Sequence, residues 1–382
     1  MRLLYLSGDP GIPVLGHKGA SVHVRELANA LVTLGAEVAI ASPRTEPMGD
    51  VLDAPVELVP IPSIPSTGSE ADLRAALETQ SDVVVTVAGL FGAEAIYERY
   101  SLFGGAGVAA AARLEIPHVL EVNAPLRTEA LRFRTLPHPN VAVEIERAVF
   151  GATDRILPVS QALRRWLEEE RVERERIQVV PNAVAPARIR PRRSRGDGDL
   201  VLGFCGSLKP WHGVEVLLEA CSLAFAEEPA LRLEVVGGGP LEHLLHAADL
   251  PAQRVRTFGV LPHADALERL RGWDVGVAPY LPLEGFYFSP LKVLEYMAVG
   301  LCPVTSDLGD LPALLDDGRR GLLVPAGDAE QLAAAFLELA HDRERAAELG
   351  NSAREFVLDA HTWEQNARVV LDSFSAAREL VA

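Results

Sequence analysis

Val201-Leu202-Gly203-Phe204-Cys205-Gly206-Ser207-Leu208-Lys209-Pro210-Trp211-His212-Gly213 reads as a short apolar strand running into a glycine-containing loop. Residues 214–225 follow as a helix, which completes one βα unit. Further strands follow at 231–236, 255–258, 275–278, 303–305 and 322–324. Helical segments lie between or after them, at 214–225, 264–271, 291–298 and 329–339. The same rhythm already occurs upstream. Residues 3–7 form a first strand, a loop runs from Gly8 to Gly19, and Ser21 is placed to cap a helix. Val24, Leu27, Ala28, Leu31 and Leu34 recur at helical spacing, and Gly35 ends that helix. Strands are expected next at Val38-Ala39-Ile40-Ala41, Val83-Val84-Val85-Thr86, His118-Val119-Leu120-Glu121, Ile156-Leu157-Pro158-Val159 and Ile177-Gln178-Val179-Val180. Two successive series of this kind predict two doubly wound, parallel-sheet, Rossmann-like α/β domains. Ligands in such sheets bind beyond the carboxyl ends of the strands, so two facing domains are expected to form a cleft.

The boundaries follow from where the rhythm breaks. Residues 184–200 contain Pro186, Pro191, Gly196, Gly198 and five arginines from Arg188 to Arg195. This gives a first domain over 1–185, a linker over 186–199 and a second domain over 200–358. The arginine-rich stretch reads as a solvated charged loop, with a phosphate- or membrane-touching patch as the other reading. A final helix is expected at about 360–382, starting near Trp363.

Length and composition agree with this. The chain has 382 residues, 48% hydrophobic and 23% charged, enough for two cored domains and unlike a disordered or fibrous chain. Net charge is 36 − 53 = −17, and such a field repels nucleic acid and anionic membranes, leaving at most peripheral membrane contact. Cys205, Cys221 and Cys302 are odd in number and scattered, with no zinc spacing or disulfide framework. That fits a reducing compartment, and the N-terminus reads as a first strand rather than a signal peptide, so a cytoplasmic location is expected. No stretch approaches the ~20 apolar residues that span a bilayer.

The candidate chemistry lies in loops and helix starts at the carboxyl ends of strands. Lys18, Lys209 and Lys292 are the only lysines among 36 basic residues, and all three fall there. A compact ammonium is a good point charge for phosphate. Gly16-His17-Lys18-Gly19-Ala20-Ser21 lets a ligand approach the backbone near a helix start, and it also reads as an ordinary βα turn. Gly206–His212 offers a cation, a ring donor and flexible backbone, and Gly237-Gly238-Gly239-Pro240 ends the next strand. The richest segment runs Glu284-Gly285-Phe286-Tyr287-Phe288-Ser289-Pro290-Leu291-Lys292-Val293-Leu294-Glu295. Ser289 and Pro290 suit a helix start whose free amides can hold a phosphate, and Lys292 adds a charge one turn in. Glu295 follows on the same face and suits a ribose diol. A plain surface Lys–Glu pair is the alternative. No paired aspartates or His/Cys cluster lies near the glycine loops, so no metal is expected. No dinucleotide Gly-x-Gly-x-x-Gly fingerprint or Walker motif is present, which argues against an oxidoreductase and a P-loop enzyme.

Residues 206–327 resemble the carboxyl-terminal half of the glycogen-synthase-like, family-4-like group of retaining glycosyltransferases with the GT-B fold. The matching residues are Gly206-Ser207 with Trp211-His212-Gly213, Gly237-Gly238-Gly239-Pro240, Asp274-Val275-Gly276-Val277-Ala278-Pro279, and Ser289-Pro290-Leu291-Lys292 with Glu295-Tyr296-Met297-Ala298. The tail of that half matches at Asp307 with Gly309, at Gly321-Leu322-Leu323-Val324-Pro325 and at Gly327-Asp328. The first half is similar at 16–31, 154–160 and Val180-Pro181-Asn182.

The resemblance implies a nucleotide-diphosphate sugar donor such as a UDP- or GDP-hexose as co-substrate, no cofactor, metal-independent transfer with retention, and a small-molecule or glycan acceptor. It implies that the final helix at about 360–382 packs back on the first domain, and catalytic roles for Lys209, Lys292 and Asn123. Donor contacts are implied for Lys18, Gly19, Ser207, His212, Gly238, Tyr287, Ser289, Pro290, Leu291 and Glu295, and acceptor-side places for Glu121 and Arg127. Three departures stand out. Tyr287 occupies the place of the first Glu of the family's paired-Glu pattern, with Glu284 three residues too early. Asn123 stands where many members have histidine. Ser207 and His212 stand where Arg and Lys often bind diphosphate, a charge that Lys209 and Lys292 can supply instead. Two rival classes share these features: a GT-B nucleotide-sugar epimerase, and a non-catalytic nucleotide-sugar-binding partner protein.

Overall fold

The computed structural model describes residues 1–48, 50–133, 135–193, 198–282 and 285–381. Glu284, Arg195 and Gly196 lie outside the described residues. The chain forms two compact units, Met1–Pro181 with Trp363–Ala382, and Asn182–Thr362.

The first unit is built on a six-stranded parallel sheet of β1 (Arg2–Ser7), β2 (Glu37–Ser42), β3 (Glu57–Pro60), β4 (Ala95–Arg99), β5 (His118–Val122) and β6 (Arg155–Pro158). Their order is β3-β2-β1-β4-β5-β6, so the strand order reverses between β1 and β4. β1, β4 and β5 are almost wholly buried, as expected of a sheet covered on both faces. The C-terminal helix Trp363–Val381 packs on the first helix, Gly19–Thr33, with the His23 and Trp363 rings 4.7 Å apart.

The second unit repeats the plan with β7 (Leu200–Cys205), β8 (Leu231–Val236), β9 (Val255–Thr257), β10 (Val275–Ala278), β11 (Cys302–Ser306) and β12 (Leu322–Val324). The order is β12-β11-β10-β7-β8-β9, all parallel, with the reversal between β7 and β10. One face packs Leu202, Phe204, Leu217 and Phe336, the other Trp273, Tyr296, Leu267 and Met297. The two-domain doubly wound expectation is therefore met.

Three local readings are corrected. Val83-Val84-Val85-Thr86 is not a strand but part of the helix Glu70–Phe91. Ser69 and Asp72 close a capping box at its start, and Leu73, Gln80, Val84 and Ala88 repeat at helical period on its buried face. The strand in this place is β4, whose Glu98 and Arg99 are buried charges that hide an inner strand from a hydrophobicity reading. Ile177-Gln178-Val179-Val180 runs beside β6 through a single bridge, Ile156 to Ile177, and forms no full ladder before Pro181. The first helix begins at Gly19 with Lys18 at its N-cap, so Ser21 lies buried within the first turn rather than capping it.

Candidate active site

In open α/β sheets the crevice for a ligand lies beyond the strand ends where the order reverses. In the second unit that place is the end of β7 and β10. Gly206 follows β7, Gly237 follows β8, and the two loops interlock. Leu208 N–H donates to the Gly238 carbonyl at 3.0 Å, and Leu241 N–H to the Leu208 carbonyl at 3.1 Å. A side chain at Gly237, which has a φ of +135°, would sit 1.9 Å from the Gly206 carbonyl oxygen. Gly213 has a φ of +66°, and a Cβ there would lie 1.7 Å from the Pro279 carbonyl oxygen. Both positions are therefore closed to side chains, and the backbone itself lines the strand ends.

Lys292 is aimed at this place from the helix Leu291–Val299. The residue is half-buried, but its ammonium is inaccessible and has no hydrogen-bond partner. It lies 4.4 Å from the centre of the Phe204 ring and 5.3 Å from that of Tyr280, and a Cβ on Gly206 would come within 2.7 Å of it. Burial pushes its pKa down to about 8, against smaller raising effects of Cys205 and Glu295. The plain surface Lys–Glu pair is thereby excluded, since Glu295 turns to His263 instead, accepting from Nε2 at 2.6 Å. Tyr296 braces the end of β7, its hydroxyl accepting from the Cys205 N–H at 2.7 Å.

The other predicted residues of this unit divide into those near the loop and those that support it. Lys209 is exposed and lies 4.8 Å from the centre of the Trp211 ring. His212 donates from Nδ1 to the Ser207 carbonyl. Its pKa is pushed down to about 3, by burial first and then by Lys292 and Lys209. It is therefore a neutral ring that adds no positive charge. Ser289 does not cap the helix. Pro290 occupies the N-cap, and the Ser289 hydroxyl accepts from the Asn182 N–H at 2.9 Å. This ties the helix start to the segment that opens the unit. The Leu291 and Lys292 N–H groups lie in the first turn, where helix geometry provides no partner. Tyr287 packs its ring on Phe288, with centroids 4.6 Å apart, in an aromatic group with Phe286 and Tyr280.

In the first unit the order reverses between β1 and β4, beside Ser7 and Arg99. Glu121 ends up buried rather than presented to solvent. It accepts from His23 Nε2 at 2.7 Å, Tyr97 Oη at 2.7 Å, Arg99 Nη1 at 2.5 Å and Asn123 Nδ2. Burial works to raise its pKa, but His23 and Arg99 outweigh that and hold it at about 2. Asn123 is half-buried at the strand end. Arg127 is neutralised by two carboxylates, Glu146 at 2.6 Å and Glu170 at 2.5 Å, and thus links helices rather than offering a free charge. Lys18 donates to the Gly11 carbonyl at 2.8 Å and Gly19 is exposed at the helix start.

Sequence reading missed two supporting residues. Buried Arg25 holds the first glycine loop by donating to the Val14 and Gly16 carbonyls, both at 2.7 Å, and to Asp50 at 2.8 Å. His263, one residue into the helix His263–Leu270, is the partner of Glu295. A charged Arg at an apolar helix position was the available signal for the first; nothing local marked the second. Among the described residues no three His, Cys, Asp or Glu side chains gather in a metal-holding group, and no helix is long and apolar enough to cross a membrane.

Comparison with known proteins fits this geometry. Residues 199–342 match the family model described as "Glycosyl transferases group 1", and residues 17–188 that described as "Glycosyltransferase Family 4". The D-inositol 3-phosphate glycosyltransferase of Kribbella flavida is 27% identical over 98% of this chain and 93% of its own length. The phosphatidyl-myo-inositol mannosyltransferase of Mycolicibacterium smegmatis is 30% identical over 85% of this chain and 81% of its own. Among solved structures, sucrose-phosphate synthase of Thermosynechococcus elongatus superposes with a TM-score of 0.76 at 21% identity, covering 100% of this chain and 99% of that one. Anabaena HepE, solved with UDP-glucose, gives 0.72 at 18% identity over 98% of this chain and 100% of its own. The fold of these neighbours is GT-B, and with matched models on both units the chain belongs to the family 4, group 1 glycosyltransferases.

Proposed function

We propose that this glycosyltransferase moves a hexose from a nucleotide-diphosphate sugar, of the UDP- or GDP-hexose kind, to a hydroxyl of a small-molecule or glycan acceptor. The observation that carries this is Lys292. An ammonium buried without a partner beside two interlocked glycine loops is costly unless an anion completes it. A diphosphate supplies that anion. Lys292, Lys209 and the first amides of the helix Leu291–Val299 stabilise the charge that develops as nucleoside diphosphate departs, which is ordinarily the largest catalytic contribution. Glu295 accepts from ribose hydroxyls. Ser207, Gly238 and Tyr287 lie in or beside the loops that border the donor. Asn123 serves the sugar or acceptor, held in place by Glu121.

The reading includes retention and independence from metal. Glu121, the buried carboxylate in β5, has both oxygens engaged by donors and is no free nucleophile. Attack from the leaving-group side, with the departing phosphate as base, needs none. The relatives named for inositol phosphates and HepE with its UDP-glucose support the donor and acceptor classes by analogy. A cytoplasmic setting, with its pool of nucleotide sugars, suits the three free cysteines.

The test is incubation of the purified chain with UDP-glucose, GDP-mannose and related donors, with and without polyols, inositol phosphates and glycans. Nucleoside diphosphate release that requires an acceptor, with a product of the donor's anomeric configuration by NMR, is the expected result. Release without acceptor points to an epimerase. Binding without turnover across the acceptor set points to a non-catalytic partner, and an inverted product overturns retention.

A further inference from the structure

The two oxygens of Glu295 stand in different situations. Oε1 accepts from His263 Nε2 at 2.6 Å, in a pair whose side chains are 10% and 17% exposed. Oε2 accepts from no side chain among the described residues. The pair bridges two packed helices. Ala266, Leu267 and Leu270 of one share a core with Val293, Leu294 and Met297 of the other. Pro262 at the N-cap fixes the backbone where His263 begins its helix. The imidazole is thus delivered to the carboxylate by rigid elements.

We infer that His263 is a positioning residue for nucleotide recognition. By holding Oε1 it fixes the rotamer of Glu295, so that Oε2 alone meets the ribose hydroxyls of the nucleoside diphosphate. This rests on the reading that the second unit binds the nucleotide through Glu295. The carboxylate that the sequence offers to a ribose diol thus meets it with one oxygen, the other being committed to the protein. A carboxylate so held loses little freedom on binding, which is how an orienting partner improves recognition without touching the ligand. His263 is not a catalytic residue, and its effect falls on donor KM rather than on kcat.

Calorimetric titration of the full chain with UDP and GDP, and with their 2′,3′-dideoxy counterparts, tests this. The wild type prefers the ribo form of its nucleotide by roughly tenfold or more, as expected for a hydrogen bond to a charged group. Glu295→Ala removes that preference, which checks the ribose reading alone. His263→Leu brings the ribo-to-dideoxy ratio to within about twofold while leaving dideoxy affinity unchanged. His263→Gln, whose amide nitrogen reaches the position of Nε2, restores part of it. A folded His263→Leu with an undiminished ratio overturns the inference and leaves the ribose reading intact. A larger ratio overturns it too, since His263 then competes with ribose for the carboxylate. A wild type with no ribose preference overturns both. Should His263→Leu fail to fold, His263→Asn, which keeps an amide but stops short of Oε1, carries the same comparison.

Discussion

Asn123 donates its side-chain amide nitrogen to the carboxylate of Glu121. An ionised carboxylate only accepts, so the NH2 end of the amide must face it and the carbonyl oxygen must point away. Glu121 therefore decides which end of the Asn123 amide faces away from the cluster. The chain thus presents at this strand end an acceptor oxygen held by a buried cluster.

The cluster makes an acid-limb prediction. Glu121 titrates at about 2 in the folded chain, well below the ordinary value of 4.5. Its stabilisation is then fully present above about 4.5 and is lost as pH falls toward 2, because the unfolded chain binds the proton first. The size is on the order of 3 kcal/mol for such a difference. Urea unfolding from pH 7 to pH 3 should show this loss, and Glu121→Gln should flatten it. Glu121→Gln should also lower the melting temperature at neutral pH, since Arg99 loses its counter-charge. The same pH slope in both proteins contradicts the assignment.

At Lys292 it is the charged form that the fold disfavours, so stability again rises with pH but the contribution at neutral pH is a cost. The Lys292 pKa falls from 10.5 to about 8, so the folded chain sheds a proton that the unfolded chain keeps. The cost of holding the buried charge is fully present below about pH 8 and is relieved as pH rises toward 10.5. Lys292→Met should therefore stabilise the unliganded chain at pH 7, by on the order of 3 kcal/mol at most. It should also remove the rise in stability between pH 8 and 10. A bound diphosphate favours the ammonium, so nucleotide binding above about pH 8 should take up a proton. Titration at pH 9 in two buffers of different ionisation enthalpy reads that uptake. Equal heats in both buffers contradict it.

Gly213→Ala tests the turn that carries the loop Gly206–Gly213. A methyl there would overlap the Pro279 carbonyl oxygen at 1.7 Å, in a left-handed backbone that L residues avoid. The carbonyl belongs to backbone and cannot swing aside. A loss of more than about 3 kcal/mol in denaturant unfolding is expected, in the class of strained positive-φ sites. A change under about 1 kcal/mol would mean that the turn relaxes easily.

Most of the architecture was legible because parallel strands buried on both faces leave continuous apolar runs. Leu3–Leu6 and Leu200–Phe204 are read without difficulty for that reason. β4 was missed because Tyr97, Glu98 and Arg99 carry polar groups into the sheet, where partners on β5 and beyond satisfy them. Val83–Thr86 was misread because β-branching is a local preference, while the Ser69–Asp72 capping box and the core-facing period extend over the whole helix. At the site, the three lysines were visible as rare residues at strand ends. That His263 would take Glu295, and that His212 would be neutral, depends on packing between segments distant in sequence.

Turnover should not need a divalent metal. Among the described residues no His, Cys, Asp and Glu group is arranged to hold one, and Lys209 and Lys292 already supply cationic charge at the glycine loops. Donor consumption in excess chelator, once an active donor and acceptor are identified, should match the untreated rate. Activity lost in chelator and restored by magnesium or manganese contradicts the proposal.

Lys292→Ala should separate catalysis from folding. The ammonium is buried, unpartnered and next to Gly206, so its removal deletes no hydrogen bond of the unliganded chain. It does delete the charge that a departing diphosphate would meet. Losing one such group commonly costs on the order of 3 kcal/mol in the transition state, roughly a hundredfold in rate. A surface Lys–Glu pair would instead contribute about 0.5 kcal/mol to stability and nothing to turnover. Lys292→Arg keeps the charge but spreads it over a wider plane, beside the Phe204 and Tyr280 rings and Gly206. It should recover only part of the rate. The measurement is donor turnover at saturating donor and acceptor, read beside the melting temperature of each variant. A folded Lys292→Ala with near-normal turnover removes the phosphate role from this residue, and the buried ammonium then has no catalytic explanation.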